Sequence, residues 1–258
     1  MSEPRESFET IAGCKVRLLR SGKGAPLLFL HGAGGAGVWL PFYDMLAQTR
    51  DVIVPEHPGF GHSDMPDWLD TVGDLANFYL EFIGKLGLRD VDLVGTSLGG
   101  WIAADLAVRN ATALRHLVLL SPAGIHLPGV PKGDVFLWNP EQRVRNLFHD
   151  QALADKMLAM TPDDEERKRQ NKNALTTARV GWQPRFYDPN LRKWLHRIDR
   201  PTLIVWGDDD KVFPPAYGPA YRDLIPGATL EIVKDCGHLP HVEKAAETAA
   251  LVTKFIGA

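Results

Sequence analysis

One serine lies in a pattern that is typical of an enzyme nucleophile. Residues 91–100 read Val-Asp-Leu-Val-Gly-Thr-Ser-Leu-Gly-Gly, with Ser97 at the centre of Gly95-x-Ser97-x-Gly99. The apolar residues before it predict a buried strand, and those from Trp101 onward predict a helix. A serine on so sharp a turn holds its hydroxyl above the sheet, and the glycines let the neighbouring elements pack closely. A serine hydroxyl is a poor nucleophile at neutral pH, so it needs a base and an acid elsewhere in the chain.

The base is expected among the nine histidines of the chain. His238 follows the last predicted strand, in Cys236-Gly-His-Leu-Pro-His. A loop in that place can turn back over the strand ends and reach Ser97, so His238 is the predicted base and His241 is the alternative. Three further histidines lie in strand-end loops and are expected to order those loops through hydrogen bonds: His31, His57 and His62.

The acid that orients the histidine is expected after the strand Thr202–Trp206. The next residues are Gly207-Asp-Asp-Asp210, and these three neighbouring aspartates differ little in their local chemistry. The loop after Leu120, where an acid could also lie, reads Ser-Pro-Ala-Gly and offers none. The set of serine, acid and histidine can therefore be completed only by one of residues 208–210, in the chain order Ser, Asp, His.

A glycine-rich loop, His31-Gly-Ala-Gly-Gly-Ala-Gly37, follows the apolar run from Pro26 to Leu30. Such a loop can supply a backbone N–H to an oxyanion hole, here from Ala33 or Gly34, with a second N–H from Leu98. The loop lacks Gly-Lys-Ser/Thr, which excludes a Walker phosphate site. A dinucleotide site would need Glu56 as its ribose-binding acid.

The elements that position these residues alternate between strand and helix in the first half of the chain and again from residue 201. This alternation predicts a parallel α/β sheet with helices on both faces, preceded by an edge hairpin at residues 8–20. Residues 1–121 and 201–258 are expected to form this core. We call residues 122–200 the cap segment, because its helical spacing over 141–160 and its polar helix from Thr161-Pro-Asp-Asp164 to about Ala178 predict a helical cap. The polar helix is expected to face solvent.

The composition is that of an ordinary globular protein. The 258 residues are 45% hydrophobic and 24% charged, and the net charge of −3 argues against nucleic acid or an anionic membrane as a partner. The N-terminal residues lack an apolar signal region, and Cys14 and Cys236 lie far apart in sequence. We therefore expect a cytoplasmic protein without metal or cofactor, with a small-molecule substrate as its partner and a homodimer as one assembly to consider.

The chain resembles the α/β-hydrolase superfamily over nearly its whole length. Five motifs carry this resemblance: His31-Gly-Ala-Gly-Gly, Pro58-Gly-Phe-Gly-His-Ser-Asp64, Gly95-Thr-Ser-Leu-Gly-Gly100, Trp206-Gly-Asp-Asp-Asp210 and Gly237-His238. The resemblance implies the α/β-hydrolase fold, an eight-stranded, mostly parallel sheet with a cap inserted after the sixth strand. Its Gly-x-x-Asp spacing implies Asp210 as the acid.

Within this superfamily the chain resembles the bacterial carboxylesterases and meta-cleavage-product hydrolases. The latter commonly carry a tryptophan directly after the catalytic histidine, where this chain has Leu239. The resemblance implies a Ser-His-Asp hydrolase, and we expect it to cleave a small or medium, largely apolar carboxylic ester through an acyl-enzyme. The alternatives are a carbon–carbon hydrolase for a vinylogous diketone and a small-molecule receptor that reuses the hydrolase pocket.

Overall fold

The computed structural model describes residues 3–257, which contain one eight-stranded sheet. Its strands are β1 (Arg5–Ile11), β2 (Cys14–Gly22), β3 (Ala25–Leu30), β4 (Arg50–Pro55), β5 (Val91–Thr96), β6 (Leu114–Leu120), β7 (Thr202–Gly207) and β8 (Thr229–Val233). They lie in the order β1-β2-β4-β3-β5-β6-β7-β8. Strand β2 is antiparallel to both β1 and β4, and every other pair is parallel. The predicted sheet and edge hairpin are confirmed.

Helices cover both faces of the sheet. They are α1 (Pro41–Leu46), α2 (Val72–Lys85), α3 (Leu98–Arg109), α4 (Pro140–Leu147), α5 (Gln151–Ala159), α6 (Asp164–Gly181), α7 (Leu191–Trp194), α8 (Tyr217–Leu224), α9 (Pro240–Glu243) and α10 (Ala245–Ile256). In β3, Leu28 and Leu30 join the core with α2, α3 and α8, whereas Leu27 and Phe29 join that with α1 and α10. Because strand side chains alternate between faces, an all-apolar strand fills two cores at once.

The cap segment connects β6 to β7 and carries helices α4 to α7. The helical spacing predicted over 141–160 is interrupted in the structure. Helix α4 ends at Leu147, and Asp150 then caps α5 by accepting hydrogen bonds from the N–H groups of Ala152 and Leu153. The predicted helical stretch is therefore two short helices.

Helix α6 departs from its prediction at both ends and on one face. It is capped by Asp163, which accepts from the Glu166 N–H at 2.8 Å, rather than by Thr161, and it continues to Gly181. The expectation that this helix faces solvent is wrong for one side, where Asn173, Thr176 and Thr177 are buried. Their side chains bond to loops of the core, which a polar sequence alone does not reveal.

Over the part of the chain that the structure describes, we find no helix with the length and apolar character required to cross a membrane.

Candidate active site

Ser97 lies at the junction of β5 and α3 with a left-handed backbone, φ 52° and ψ −114°. Backbone hydrogen bonds hold it there, because its N–H donates to Leu120 O and its carbonyl accepts from the N–H groups of Trp101 and Ala123, all at 3.0 Å. A side chain at Gly99 would collide with the carbonyl of Leu30, so the glycine lets α3 approach β3. The sequence therefore builds a tight strand–turn–helix that fixes the serine at the sheet's carboxyl edge.

His238 lies against Ser97. Its Nε2 is 2.9 Å from Ser97 Oγ, and only 2% of the residue is exposed. The loop after β8 carries it back over the strand ends, and its backbone N–H donates to Leu147 O of the cap segment at 2.8 Å. The ring of Phe213 packs beside its imidazole, with centroids 5.5 Å apart. The imidazole is thus fixed from the core and from the cap segment.

Asp210 completes the chain of contacts. Its Oδ2 lies 2.8 Å from His238 Nδ1, and its Oδ1 accepts from the N–H groups of Val212 and Phe213 at 2.8 and 2.9 Å. A carboxylate can only accept, so His238 Nδ1 carries the proton and Nε2 is left as an acceptor for the Ser97 hydroxyl. This is the tautomer that a general base requires.

The neighbouring aspartates face elsewhere. Asp208 lies 3.4 Å from Lys234 Nζ, and Asp209 pairs at the surface with His149 and Lys211 at 3.0 and 3.3 Å. Asp210 is 3% exposed and is the member of the three that contacts His238. The structure therefore separates three residues that the local sequence could not.

The alternative base, His241, does not contact Ser97. Its ring packs against Phe29 and Phe42, with centroids 5.5 and 5.8 Å away, and its Nδ1 has no hydrogen-bond partner. Burial, with a smaller effect from His238, lowers the pKa of His241 to about 3, so its ring is neutral and serves packing.

His31, the first residue of the glycine-rich loop, and His57 form a buried pair of stacked rings, with centroids 3.6 Å apart. The His57 N–H donates to His31 Nε2 at 3.0 Å, and His57 Nε2 donates to His31 O at 2.8 Å. Burial lowers the pKa of His31 to about 4 and that of His57 well below its usual value. Both rings are therefore neutral and bridge the loops after β3 and β4.

The residues expected to form an oxyanion hole lie on two sides of Ser97. Leu98 is the first residue of α3, where backbone N–H groups have no partner within the helix. On the other side, a methyl group added to Gly32 would lie 3.4 Å from Ser97 Cβ, so the loop bearing Ala33 and Gly34 passes beside the serine. The N-terminal end of α3 also carries a partial positive charge that favours a developing anion.

Neither thiol is suited to nucleophilic attack. Cys14 and Cys236 are free and buried, and burial raises the pKa of both, to about 11 for Cys14. Within residues 3–257 there is no group of three or more His, Cys, Asp and Glu side chains placed to hold a metal ion.

Sequence reasoning missed the side chains of α6 that contact the site's loops. Asn173 and Thr177 bond to the glycine-rich loop after β3, and Thr176 bonds to the loop after β4. The available signal was their spacing, because residues three and four apart share one face of a helix. A stripe of Asn and Thr at such positions indicates a face with hydrogen-bonding partners.

Comparison with known proteins gives one family and several relatives. Residues 25–245 match the family described as alpha/beta hydrolase fold. The chain is 32% identical, over 97% of its length and 68% of the relative's, to a dihydrolipoyllysine-residue acetyltransferase component of an acetoin cleaving system from Cupriavidus necator. It is 29% identical to a 2-hydroxymuconate semialdehyde hydrolase of Pseudomonas sp. strain CF600, over 99% and 97% of the two chains. Among solved structures, a membrane phospholipase A described as a bacterial virulence factor superposes with a TM-score of 0.79 and 27% identity, covering 98% of this chain and 86% of that one.

Proposed function

Because the chain belongs to the alpha/beta hydrolase fold family, we propose that it is a serine hydrolase that cleaves a small or medium, largely apolar carboxylic ester. The observation that carries this proposal is the continuous contact from Ser97 Oγ to His238 Nε2 at 2.9 Å and from His238 Nδ1 to Asp210 Oδ2 at 2.8 Å. Nucleophile, base and orienting acid are then joined in the order that acyl transfer requires.

In the proposed reaction, Ser97 Oγ attacks the ester carbonyl while its proton passes to His238 Nε2. The backbone N–H groups of Leu98 and Ala33, or Gly34 in its place, stabilise the carbonyl oxygen as it becomes an anion. Asp210 stabilises the imidazolium, which returns the proton to the departing alcohol. A water molecule then gives a proton to His238 as it attacks the acyl-enzyme. His238 returns this proton to Ser97 Oγ as the bond between Oγ and the acyl carbon breaks, and the carboxylic acid is released.

The preference for an apolar group is supported by aromatic rings that lead from His238 into the cap segment. Phe213 packs beside His238, Phe186 lies 6.4 Å from Phe213, and Phe136 stacks on Phe186 at 5.1 Å. Rings of this kind offer apolar surface for the hydrocarbon part of a substrate. We therefore propose that residues 122–200 act as a cap over the site and contribute its substrate-selecting wall.

A carbon–carbon hydrolase is the second candidate. It is favoured by the 29% identity to a protein named for the hydrolysis of 2-hydroxymuconate semialdehyde. Leu239, where a tryptophan commonly follows the histidine in such hydrolases, favours the ester instead. Turnover of a meta-cleavage dienoate measured beside that of a p-nitrophenyl ester separates the two, because the preferred substrate has the larger kcat/KM.

The proposed function is tested with p-nitrophenyl butyrate and a fluorophosphonate probe. We expect the wild-type protein to hydrolyse the ester and to be labelled at Ser97, and the Ser97→Ala variant to lose labelling and about six orders of magnitude in kcat. Near wild-type turnover by Ser97→Ala would refute the assignment. A folded wild-type protein that is neither labelled nor active would favour a receptor that reuses the fold.

A further inference from the structure

Helix α6 presents a polar stripe to the core, formed by Asn173, Thr176 and Thr177. These residues are 8%, 0% and 5% exposed. Buried polar groups cost free energy unless they are hydrogen-bonded, and each of these three bonds to a backbone group of the core. The stripe therefore ties the cap segment to two core loops, residues 31–40 after β3 and residues 56–64 after β4.

Asn173 bonds to both loops at once. Its Nδ2 donates to Gly34 O at 2.9 Å, and its Oδ1 accepts from the Gly61 N–H at 2.8 Å. Because a carbonyl only accepts and an N–H only donates, a single orientation of the amide satisfies both partners. Gly35, at φ +89°, leaves the space that the amide needs, since a side-chain carbon there would lie 2.5 Å from Asn173 Nδ2. The Asn173 amide thus packs directly against the glycine-rich loop.

The contact fixes the backbone from which the oxyanion donors are expected. Three successive carbonyl groups are held: Gly32 O accepts from the Gly35 N–H at 3.1 Å, Ala33 O from Thr177 Oγ1 at 3.4 Å, and Gly34 O from Asn173 Nδ2. A trans peptide is planar, with its N–H opposite its C=O, so each held carbonyl also fixes the direction of the following N–H. Thr177 thus holds the peptide that carries the Gly34 N–H. Asn173 holds the peptide that carries the Gly35 N–H, and this N–H in turn holds Gly32 O and with it the peptide that carries the Ala33 N–H. Both expected donors are therefore oriented before any substrate arrives.

We propose that Asn173 is a positioning residue for the oxyanion hole, an inference that rests on the proposed function. The cap segment then does more than cover the site, because its helix α6 holds the loop that stabilises the transition state. A misplacement of the donors by about 1 Å is enough to cost about 100-fold in rate.

The variant Asn173→Asp removes the donor of this contact and adds a carboxylate, so it is read beside Thr177→Val, which removes a donor to the same loop without adding a charge. The aspartate keeps an oxygen for the Gly61 N–H but has no donor for Gly34 O. We expect kcat for p-nitrophenyl butyrate to fall by about 10- to 100-fold, with KM within about twofold of wild type. Affinity for an aryl trifluoromethyl ketone, whose adduct with Ser97 places an oxyanion in the same donors, should fall by the same factor as kcat/KM.

Thr176→Val is the matched control. It removes a bond from the same helix face, Thr176 Oγ1 to Gly59 O at 2.6 Å, but in the loop that carries no oxyanion donor. We expect its kcat and ketone affinity to stay within about threefold of wild type, whatever its change in melting temperature. Thr177→Val is the second test variant, since it removes the donor to Ala33 O without adding a charge, and it should lower kcat and ketone affinity together. It also replaces Asn173→Asp if that variant does not fold.

Two results would overturn the role of Asn173. One is a folded Asn173→Asp protein with wild-type kcat and ketone affinity. If Asn173→Asp does not fold, the same result for Thr177→Val has the same meaning. The other is a loss in Thr176→Val as large as that in Asn173→Asp, since this would show a general anchoring of the cap segment. Failure of the proposed function is distinguishable, because in that case either Ser97→Ala remains active or the wild-type protein is neither labelled nor active.

Discussion

Replacing Asp210 by asparagine should reverse the tautomer of His238. The N–H groups of Val212 and Phe213 both donate to Asp210 Oδ1, so in Asp210→Asn the amide oxygen occupies that place. The amide NH₂ then faces His238 Nδ1, at the 2.8 Å now spanned by Oδ2. His238 Nδ1 must accept, and the single proton of the neutral ring moves to Nε2, which faces Ser97.

With Nε2 protonated, His238 cannot take the proton of Ser97. The loss expected for a base held in the wrong tautomer is about 10⁴ in kcat, which corresponds to about 5.5 kcal/mol of transition-state stabilisation. The fold should change little, because asparagine has the size of aspartate and retains both backbone hydrogen bonds. We therefore expect a folded protein with a specific defect in turnover.

The assay is kcat for p-nitrophenyl butyrate, with thermal unfolding as the measure of folding. Asp209→Asn is the matched control, since Asp209 pairs with His149 and Lys211 at the surface, and its kcat should stay within about twofold of wild type. The reasoning is refuted if folded Asp210→Asn keeps more than about a tenth of the wild-type kcat, or if Asp209→Asn loses as much.

Two further predictions concern stability. In Gly99→Ala the new methyl group meets the Leu30 carbonyl, and we expect the free energy of unfolding in urea to fall by about 2–3 kcal/mol. Gly84→Ala, in open space on α2, should change it by about 1 kcal/mol or less, and equal effects would contradict the close approach at Gly99. The second prediction follows from the pKa of His241, which is about 3 in the fold against 6.5 in the unfolded chain. Below pH 6.5 the unfolded state binds a proton that the folded state does not. The free energy of unfolding therefore decreases as the pH is lowered from 6.5 to 3. His241 should account for about 2 kcal/mol lost between pH 8 and pH 5, and His241→Leu should flatten the pH dependence by that amount. The same pH dependence of stability in the wild-type protein and in His241→Leu would show that His241 is not held neutral.

The fold could be predicted well, because its signals are local. Apolar runs such as Pro26–Leu30 and Val91–Val94 indicate strands buried on both faces, and alternation with helices leaves few topologies open. The helices of the cap segment were harder to predict, because single capping residues determine where each helix begins. Asp163 caps α6 in place of Thr161, and the break between α4 and α5 at Asp150 is set by a side chain that bonds to two N–H groups.

The sequence by itself determined the tight strand–turn–helix at Ser97, because its geometry depends on small residues within a few positions of the serine and on the strand and helix beside them. Only the tertiary structure placed Asp210, rather than its two neighbours, against His238, and placed His241 among aromatic rings. It alone turned the polar face of α6 inward, where Asn173 meets Gly34 across 139 residues of chain. The physical reason is distance along the sequence: sterics act between neighbours, whereas burial and hydrogen bonds between remote segments exist only once the chain has packed.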